Sequence, residues 1–278
     1  MYDILKNAVE EFSLGGYGIC KYSDVSMNLI KCRAISRIPE NAKSIICFIF
    51  PYYVEIGEHN VSRYAVVQDY HDVVMKVLTK ISERLKDKYK NYKFEPFSDN
   101  SPIPEVRAAA LSGLGVIGEN HLLINEKYGS WVFIGEIVTD MEIDVEKREI
   151  EKCKSCGLCE KRCPGKALGS ECFNKDVCLS HVTQKKKLLS LADEELIKRG
   201  DLVWGCDVCQ EVCPMNINKE STKISEFRES VHENVSLGDY DLLPNRAYHW
   251  RPKGVIERNI KIKKGSSVLR STIYKMKQ

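Results

Sequence analysis

With 278 residues, 43% of them hydrophobic and 29% charged, the chain has enough apolar sequence to bury a core and is expected to divide into one large and one small unit. The run Met1-Tyr-Asp-Ile-Leu-Lys lacks the basic start and apolar run of a secretory signal, and no stretch approaches the roughly 18 apolar residues of a membrane span. These readings argue against export and membrane contact and set the expectation of a cytoplasmic protein. The net charge of +3 conceals a basic end, because residues 244–278 hold ten Lys/Arg and one acid, Glu257. Such a segment suits contact with a polyanion such as RNA as well as it suits a solvated terminus.

In chain order, the run from Lys43 to Phe50, apolar and β-branched and closed by Pro51, predicts a buried strand. From Asp69 to Lys88, Val73, Val74, Val77, Leu78, Ile81 and Leu85 fall at helical spacing with charges opposite. Ser98-Asp-Asn-Ser-Pro-Ile-Pro-Glu105 is a loop running into an Ala-rich helix, for which Asp99 or Ser101 can serve as cap. Gly113-Leu-Gly-Val-Ile-Gly118 follows that helix, whereas a dinucleotide fingerprint follows a strand and opens a helix, so a nucleotide role is not inferred from it. Trp131 to Val138 predicts a second strand, and the alternation gives an α/β layered domain over residues 1–147. Lys185 to Arg199 predicts an amphipathic helix with Leu188, Leu189, Leu191, Leu196 and Ile197 on its apolar side.

Twelve cysteines in a chain without a signal sequence point to metal ligation rather than disulfides. Cys20, Cys32 and Cys47 are scattered and read as buried thiols. The other nine fall within a ferredoxin-like unit, residues 148–218, followed by a basic C-terminal extension, residues 219–278. Cys153-x2-Cys156-x2-Cys159-x3-Cys163-Pro164 is the spacing in which three thiolates hold one [4Fe–4S] cluster and the fourth serves its neighbour. Cys206-x2-Cys209-x3-Cys213-Pro214 repeats it without a first cysteine, whose position is taken by Val203. Cys178 or Cys172 can fill the gap. The exchange then gives Cys153, Cys156, Cys159 and Cys213 to one cluster and Cys163, Cys206, Cys209 and one of that pair to the other, and spacing alone does not choose between them. Zinc knuckles also use Cys-x2-Cys pairs, but they do not require two proline-terminated sets in this order.

Two adjacent clusters make an electron relay, and the large domain implies a cofactor or substrate to receive the electrons. Here several strings resemble the core of the epoxyqueuosine reductase family: Ser62-Arg-Tyr-Ala65, Asp69-Tyr-His71, Asp99-x2-Pro102-x2-Glu105, Gly113-Leu-Gly-x-Ile-Gly118-x-Asn120, Gly129-Ser-Trp131, Gly135-Glu136, Cys178-Leu-Ser-His-Val-Thr183 and Gly205-Cys-Asp-Val-Cys-Gln-Glu-Val-Cys-Pro214. The resemblance implies a cobalamin-binding α/β (α+β) domain with an inserted or appended ferredoxin-like double-cluster domain. It also implies an oxidoreductase that removes the epoxide oxygen of epoxyqueuosine in tRNA, the last step of queuosine synthesis, using cobalamin reduced through two [4Fe–4S] clusters.

By that likeness Asp99 is the proton donor to the opening epoxide, a role a carboxyl can take where a dry pocket keeps it protonated. Arg63, Tyr64, Asp69, Tyr70, His71, Gly113, Gly115, Gly118 and Asn120 fall at cofactor- or substrate-binding positions, and Cys178 matches the remote cluster ligand. A low-potential donor such as ferredoxin or flavodoxin and a monomeric state complete the expectation. Val116 and Glu119 replace the family's tryptophan and lysine, and the family's helical repeats are not matched. These departures keep open a related reductase acting on a small electrophile. A non-catalytic electron carrier and an RNA-binding module are the readings from other classes.

Overall fold

The computed structural model describes residues 1–169 and 172–265, so the last part of the basic segment 244–278 lies outside the described residues. The elements run α1 (Tyr2–Glu11), β1 (Gly16–Lys21), β2 (Ser44–Pro51), α2 (Arg63–Val66), α3 (Tyr70–Lys88), β3 (Phe94–Ser98), α4 (Glu105–Leu111), β4 (Val116–Ile117), β5 (Leu123–Ile124) and β6 (Val132–Thr139). They continue as α5 (Leu158–Arg162), α6 (Leu179–Thr183), α7 (Leu191–Arg199), α8 (Val208–Glu211), α9 (Ser225–Glu229) and α10 (Lys253–Lys263). Strands pair in the order β1-β2-β6-β3, every pair antiparallel, and β4 and β5 form a small hairpin beside them.

The apolar run in β2 is continuous because both faces of the sheet are covered. Ile46, Phe48 and Phe50 pack with α1 and α3, while Ile45, Cys47 and Ile49 pack with α4, so the strand's period of two feeds two cores at once. Helix α3 turns Val73, Val74, Val77, Leu78, Ile81 and Leu85 inward, and the Asp69 carboxylate accepts a hydrogen bond from His71 N at its start. Removing a side chain such as Leu78 costs about 2–5 kcal/mol by cavity formation.

Expectations for two of the helices are corrected. Helix α4 begins at Glu105 with Pro104 as N-cap, so neither Asp99 nor Ser101 caps it. Pro102 and Pro104 favour extended backbone before them, which delays the helix, and the Ser101 hydroxyl accepts from Ile103 N instead. The helix expected over 185–199 starts only at Leu191, where Ser190 and Asp193 close a capping box. Residues 185–190, with three consecutive lysines, are not helical, and Leu188 and Leu191 are exposed.

The segment after residue 219 is not an appended tail within the described residues. Phe227, Tyr248, Val255, Ile256 and Ile260 belong to the same core as Phe48 and Leu78. Arg246 is buried and Nη1 donates to Val66 O (2.9 Å) and Ser230 O (2.8 Å). Arg258 donates to Lys185 O at 2.8 Å. Part of the basic character read as a polyanion surface is thus spent on backbone carbonyls inside the fold. Of the scattered thiols, Cys20 and Cys47 are buried but Cys32 is partly exposed. No described helix is long and apolar enough to cross a membrane.

Candidate active site and cluster sites

Each cysteine motif is seated on the large domain by a short backbone bridge. Ile117 of β4 pairs with Lys152, and Cys153 N donates to Ile117 O at 3.1 Å. On the other side Val61 pairs with Trp204, and Ser62 N donates to Trp204 O at 2.8 Å. Val203, at the position of the missing cysteine, is buried in the main core and its N–H donates to Asn60 O at 2.7 Å. Gly205 then turns with φ +75°, and a Cβ there would collide with the Ser62 Cβ. Asp207, between Cys206 and Cys209, is buried and accepts from the Ser62 hydroxyl and from Arg63 N (2.7 Å), locking the second motif onto α2. Asn216 Nδ2 adds a second lock by donating to Ser130 Oγ and Gln210 O, both at 2.8 Å.

The cysteines divide four and four. Cys153, Cys156, Cys159 and Cys213 ring a small pocket together with Gly118, Glu119 and Asn120. Cys163, Cys178, Cys206 and Cys209 line one wall of a larger cavity of about 530 Å³. Each motif has therefore lent its last cysteine to the other's group. Cys178 sits at the start of α6, whereas the exposed Cys172 lines neither pocket. Burial pushes the Cys206 thiol up to about 12 and raises Cys209 as well. Four thiolates in such a place need a bound cationic centre to offset their charge, and the donor set fits an iron-sulfur cluster in each group.

The larger cavity opens at the end of the sheet where β6 begins, β3 ends, and α3 and α4 start. The cavity is also lined by Tyr64, Tyr70, His71, Asp99, Glu105 and Phe133. The Tyr70 ring stacks on Phe133 (4.1 Å, 10°) and on His71 (4.1 Å, 27°). His71 lies between two carboxylates, Nδ1 to Asp69 Oδ1 at 2.6 Å and Nε2 to Asp99 Oδ2 at 2.9 Å. Burial alone would depress its basicity, but the two carboxylates hold it up to about 9. The imidazole is therefore protonated at neutral pH. Asp69 is held below the usual carboxylate range, where the His71 contacts outweigh its burial.

Asp99 itself adopts a left-handed backbone, φ 51°, a conformation Asp tolerates better than most residues. Its side chain is 52% exposed, so the dry pocket expected around it is not what surrounds it here. Glu105, its cavity neighbour, is pushed up to about 8 by burial and by the Asp99 charge. Asn120 lines the cavity as well, and its buried Nδ2 has no hydrogen-bond partner among the described residues. An unpaired donor beside an apolar, tyrosine-rich wall fits a large cofactor carrying acceptor groups.

Of the residues singled out in the sequence, Asp99, Tyr64, Tyr70, His71 and Asn120 line the cavity, with Cys163, Cys178, Cys206 and Cys209. Arg63, Asp69, Gly113, Gly115 and Gly118 do not. Arg63 donates to Val54 O (3.1 Å) and lies over the Tyr53 and Trp131 rings, while Asp69 acts through His71. Gly118 belongs to the small cysteine pocket, and Gly113 and Gly115 to a groove beside Arg148. Glu119 also faces the small pocket and Val116 that groove, so neither departure from the family pattern touches the cavity. The sequence reading missed Tyr52, Phe133 and Trp250 of the cavity wall. Asp207 was findable, lying inside a ligand motif. Trp250 carried no local signal.

Residues 33–100 match the family model described as epoxyqueuosine reductase QueG, DUF1730, and residues 152–216 match the 4Fe-4S double cluster binding domain. An epoxyqueuosine reductase of Lactococcus garvieae is 32% identical over 263 residues, covering 85% of this chain and 73% of that protein. One from Aliivibrio fischeri is 33% identical over 184 residues, covering 66% of this chain and 48% of its own length. A crystal structure of epoxyqueuosine reductase with a tRNA-Tyr epoxyqueuosine-modified tRNA stem loop superimposes with a TM-score of 0.77. It is 21% identical and covers 95% of this chain and 82% of that one.

Proposed function

Because the chain belongs to the epoxyqueuosine reductase family, we propose that it reduces epoxyqueuosine to queuosine in tRNA, using cobalamin and two [4Fe–4S] clusters. One observation carries this reading: a cysteine quartet and the His71–Asp99 end of the Asp69–His71–Asp99 chain line one cavity. Electrons and protons can thus meet on a single bound substrate. An electron carrier would need no such cavity, and the solved relative with its tRNA stem loop supports RNA as the substrate carrier over a small electrophile. A tRNA substrate places the enzyme in the cytoplasm.

Cys153, Cys156, Cys159 and Cys213 hold the outer cluster and Cys163, Cys178, Cys206 and Cys209 the inner one. A one-electron, low-potential protein such as a ferredoxin or flavodoxin supplies the electrons. Tyr64, Tyr70, Phe133 and Asn120 hold the corrinoid, and that group, when bound, supplies the low-potential nucleophilic chemistry that opens the epoxide. The residues of the chain do the rest. Tyr70, stacked between Phe133 and His71, fixes the imidazole plane. Asp69 holds its Nδ1 and directs Nε2 at Asp99. Asp99, on the cavity side, hands the proton held on His71 to the departing oxygen.

The test is a reconstituted enzyme given cobalamin, a low-potential reductant and an RNA stem loop bearing epoxyqueuosine, with nucleosides read by mass spectrometry. Queuosine should accumulate, and Asp99→Asn should slow it by about 10²–10⁴-fold. No queuosine despite bound corrinoid and reducible clusters would sink the proposal.

A further inference from the structure

Removing an epoxide oxygen takes two electrons and two protons, and the Asp69–His71–Asp99 chain accounts for one proton held in place. Two further carboxyls stand behind Asp99 with no part in the scheme above. Glu105 opens α4 and lines the cavity beside Asp99. Glu136 lies in the middle of β6, between Cys47 of β2 and Phe97 of β3, on the face covered by α4. It has no exposed surface, and neither Oε1 nor Oε2 has a hydrogen-bond partner among the described residues.

We propose that Glu105, backed by Glu136, is the second proton store of this site and recharges Asp99 between the two bond-breaking steps. The inference rests on the epoxide reduction proposed above. As the first C–O bond breaks, the oxygen takes a proton from Asp99 and becomes a hydroxyl. As the second breaks, it takes another proton and leaves as water, and a C=C bond remains. The two electrons arrive singly from the low-potential donor through the clusters. Glu105 shares the cavity wall with Asp99 and feels its charge, which places it to supply the second proton.

The surroundings keep both carboxyls in the acid form. Asp99 faces Glu105 from the loop after β3, and the Tyr70 hydroxyl on α3 feels the charge of both. Glu136 is faced by Cys20 of β1, Cys47 of β2, and by Glu105 and Asp99. The neighbouring cation, His71, is paired with Asp69 and Asp99. Burial and the Asp99 charge hold Glu105 up to about 8, and burial raises Glu136 well above the usual range. Both are protonated at neutral pH, and Glu105 loses its proton as pH rises through about 8.

The experiment compares Glu105→Gln, Glu136→Gln and the unaltered chain in two ways. In the cofactor-loaded enzyme, Glu105→Gln should lower kcat at least about ten-fold with KM for the RNA stem loop unchanged. The fall in kcat above pH 8 should vanish. A purely structural glutamate would lower kcat without moving the pH profile, and an unchanged alkaline limb overturns the proposal. Infrared titration of the protein without cofactors supplies a readout independent of turnover. A neutral-carboxyl C=O band should disappear through about pH 8 and be missing in Glu105→Gln, while Glu136→Gln removes a separate neutral-carboxyl band. Absence of the first band at pH 7 overturns the proposal whatever the enzyme reduces, whereas its presence in a protein that makes no queuosine overturns only the reductase reading.

Discussion

The two cysteine groups descend from one repeated spacing yet live in different surroundings. Around the small pocket, Cys156 is exposed and the other three are partly so; at the cavity, Cys163 is buried and Cys206 and Cys209 are deep enough for burial to raise their thiols strongly. The outer group also has a charged carboxylate, Glu119, against it, while the inner one shares its wall with Tyr64, Gln184 and Asp207. Identical ligands can therefore do unlike jobs, one meeting a donor at the surface and the other delivering into a shielded space. Directionality comes from packing, because the motifs themselves are symmetric.

The strongest way to break that comparison is to remove one ligand from each side. Cys206→Ser should abolish turnover, by at least about 10³-fold, with every reductant, while electron paramagnetic resonance still shows the outer cluster. Cys156→Ser should leave the inner cluster visible and cost far more activity with a protein donor than with a small diffusing reductant. Equal losses with both reductants in both variants would end the distinction. A weaker perturbation targets the inner side alone. Asn259 Nδ2 donates to Thr183 O (2.7 Å) and Val203 O (2.9 Å), tying α10 to the residues flanking Cys178 and Cys206. Asn259→Ala should cost about 1–3 kcal/mol in denaturant unfolding and release inner iron to a chelator before outer iron. The smallest effect belongs to Cys172→Ser, which should leave iron content and the visible spectrum unchanged; loss of a cluster would transfer the remote ligand from Cys178 to Cys172.

Ligand spacing was readable in the sequence because three corners of a cluster are gripped by one short loop, so the chemistry is local. The partition into four and four followed from the same rule, and Val203 at the gap was a real marker, since the structure uses it for the core. Other features are decided at long range. Nothing near Glu136 reveals that β2 and β3 will flank it and α4 will cover it. The late start of α4 and of α7 reflects proline geometry and a capping box that outweighed apolar spacing. Arg63 and Gly113 were grouped with His71 because they share family strings, yet a string records what is kept, and the cavity wall is chosen by where β6, α3 and α4 happen to end.

The placement of the last described helices sets an order of events. Arg246 closes onto Val66, 180 residues earlier in the chain, and Ala247 and Trp250 complete the cavity wall. Contacts of that span form late, because a long loop must be closed before they repay its entropy. A chain emerging from the ribosome therefore exposes both cysteine motifs before the segment that shuts over the inner group has been made. The inner cysteine group is therefore most open during synthesis, and α10, which is made afterwards, pins the stretches that follow Cys178 and precede Cys206 through Asn259.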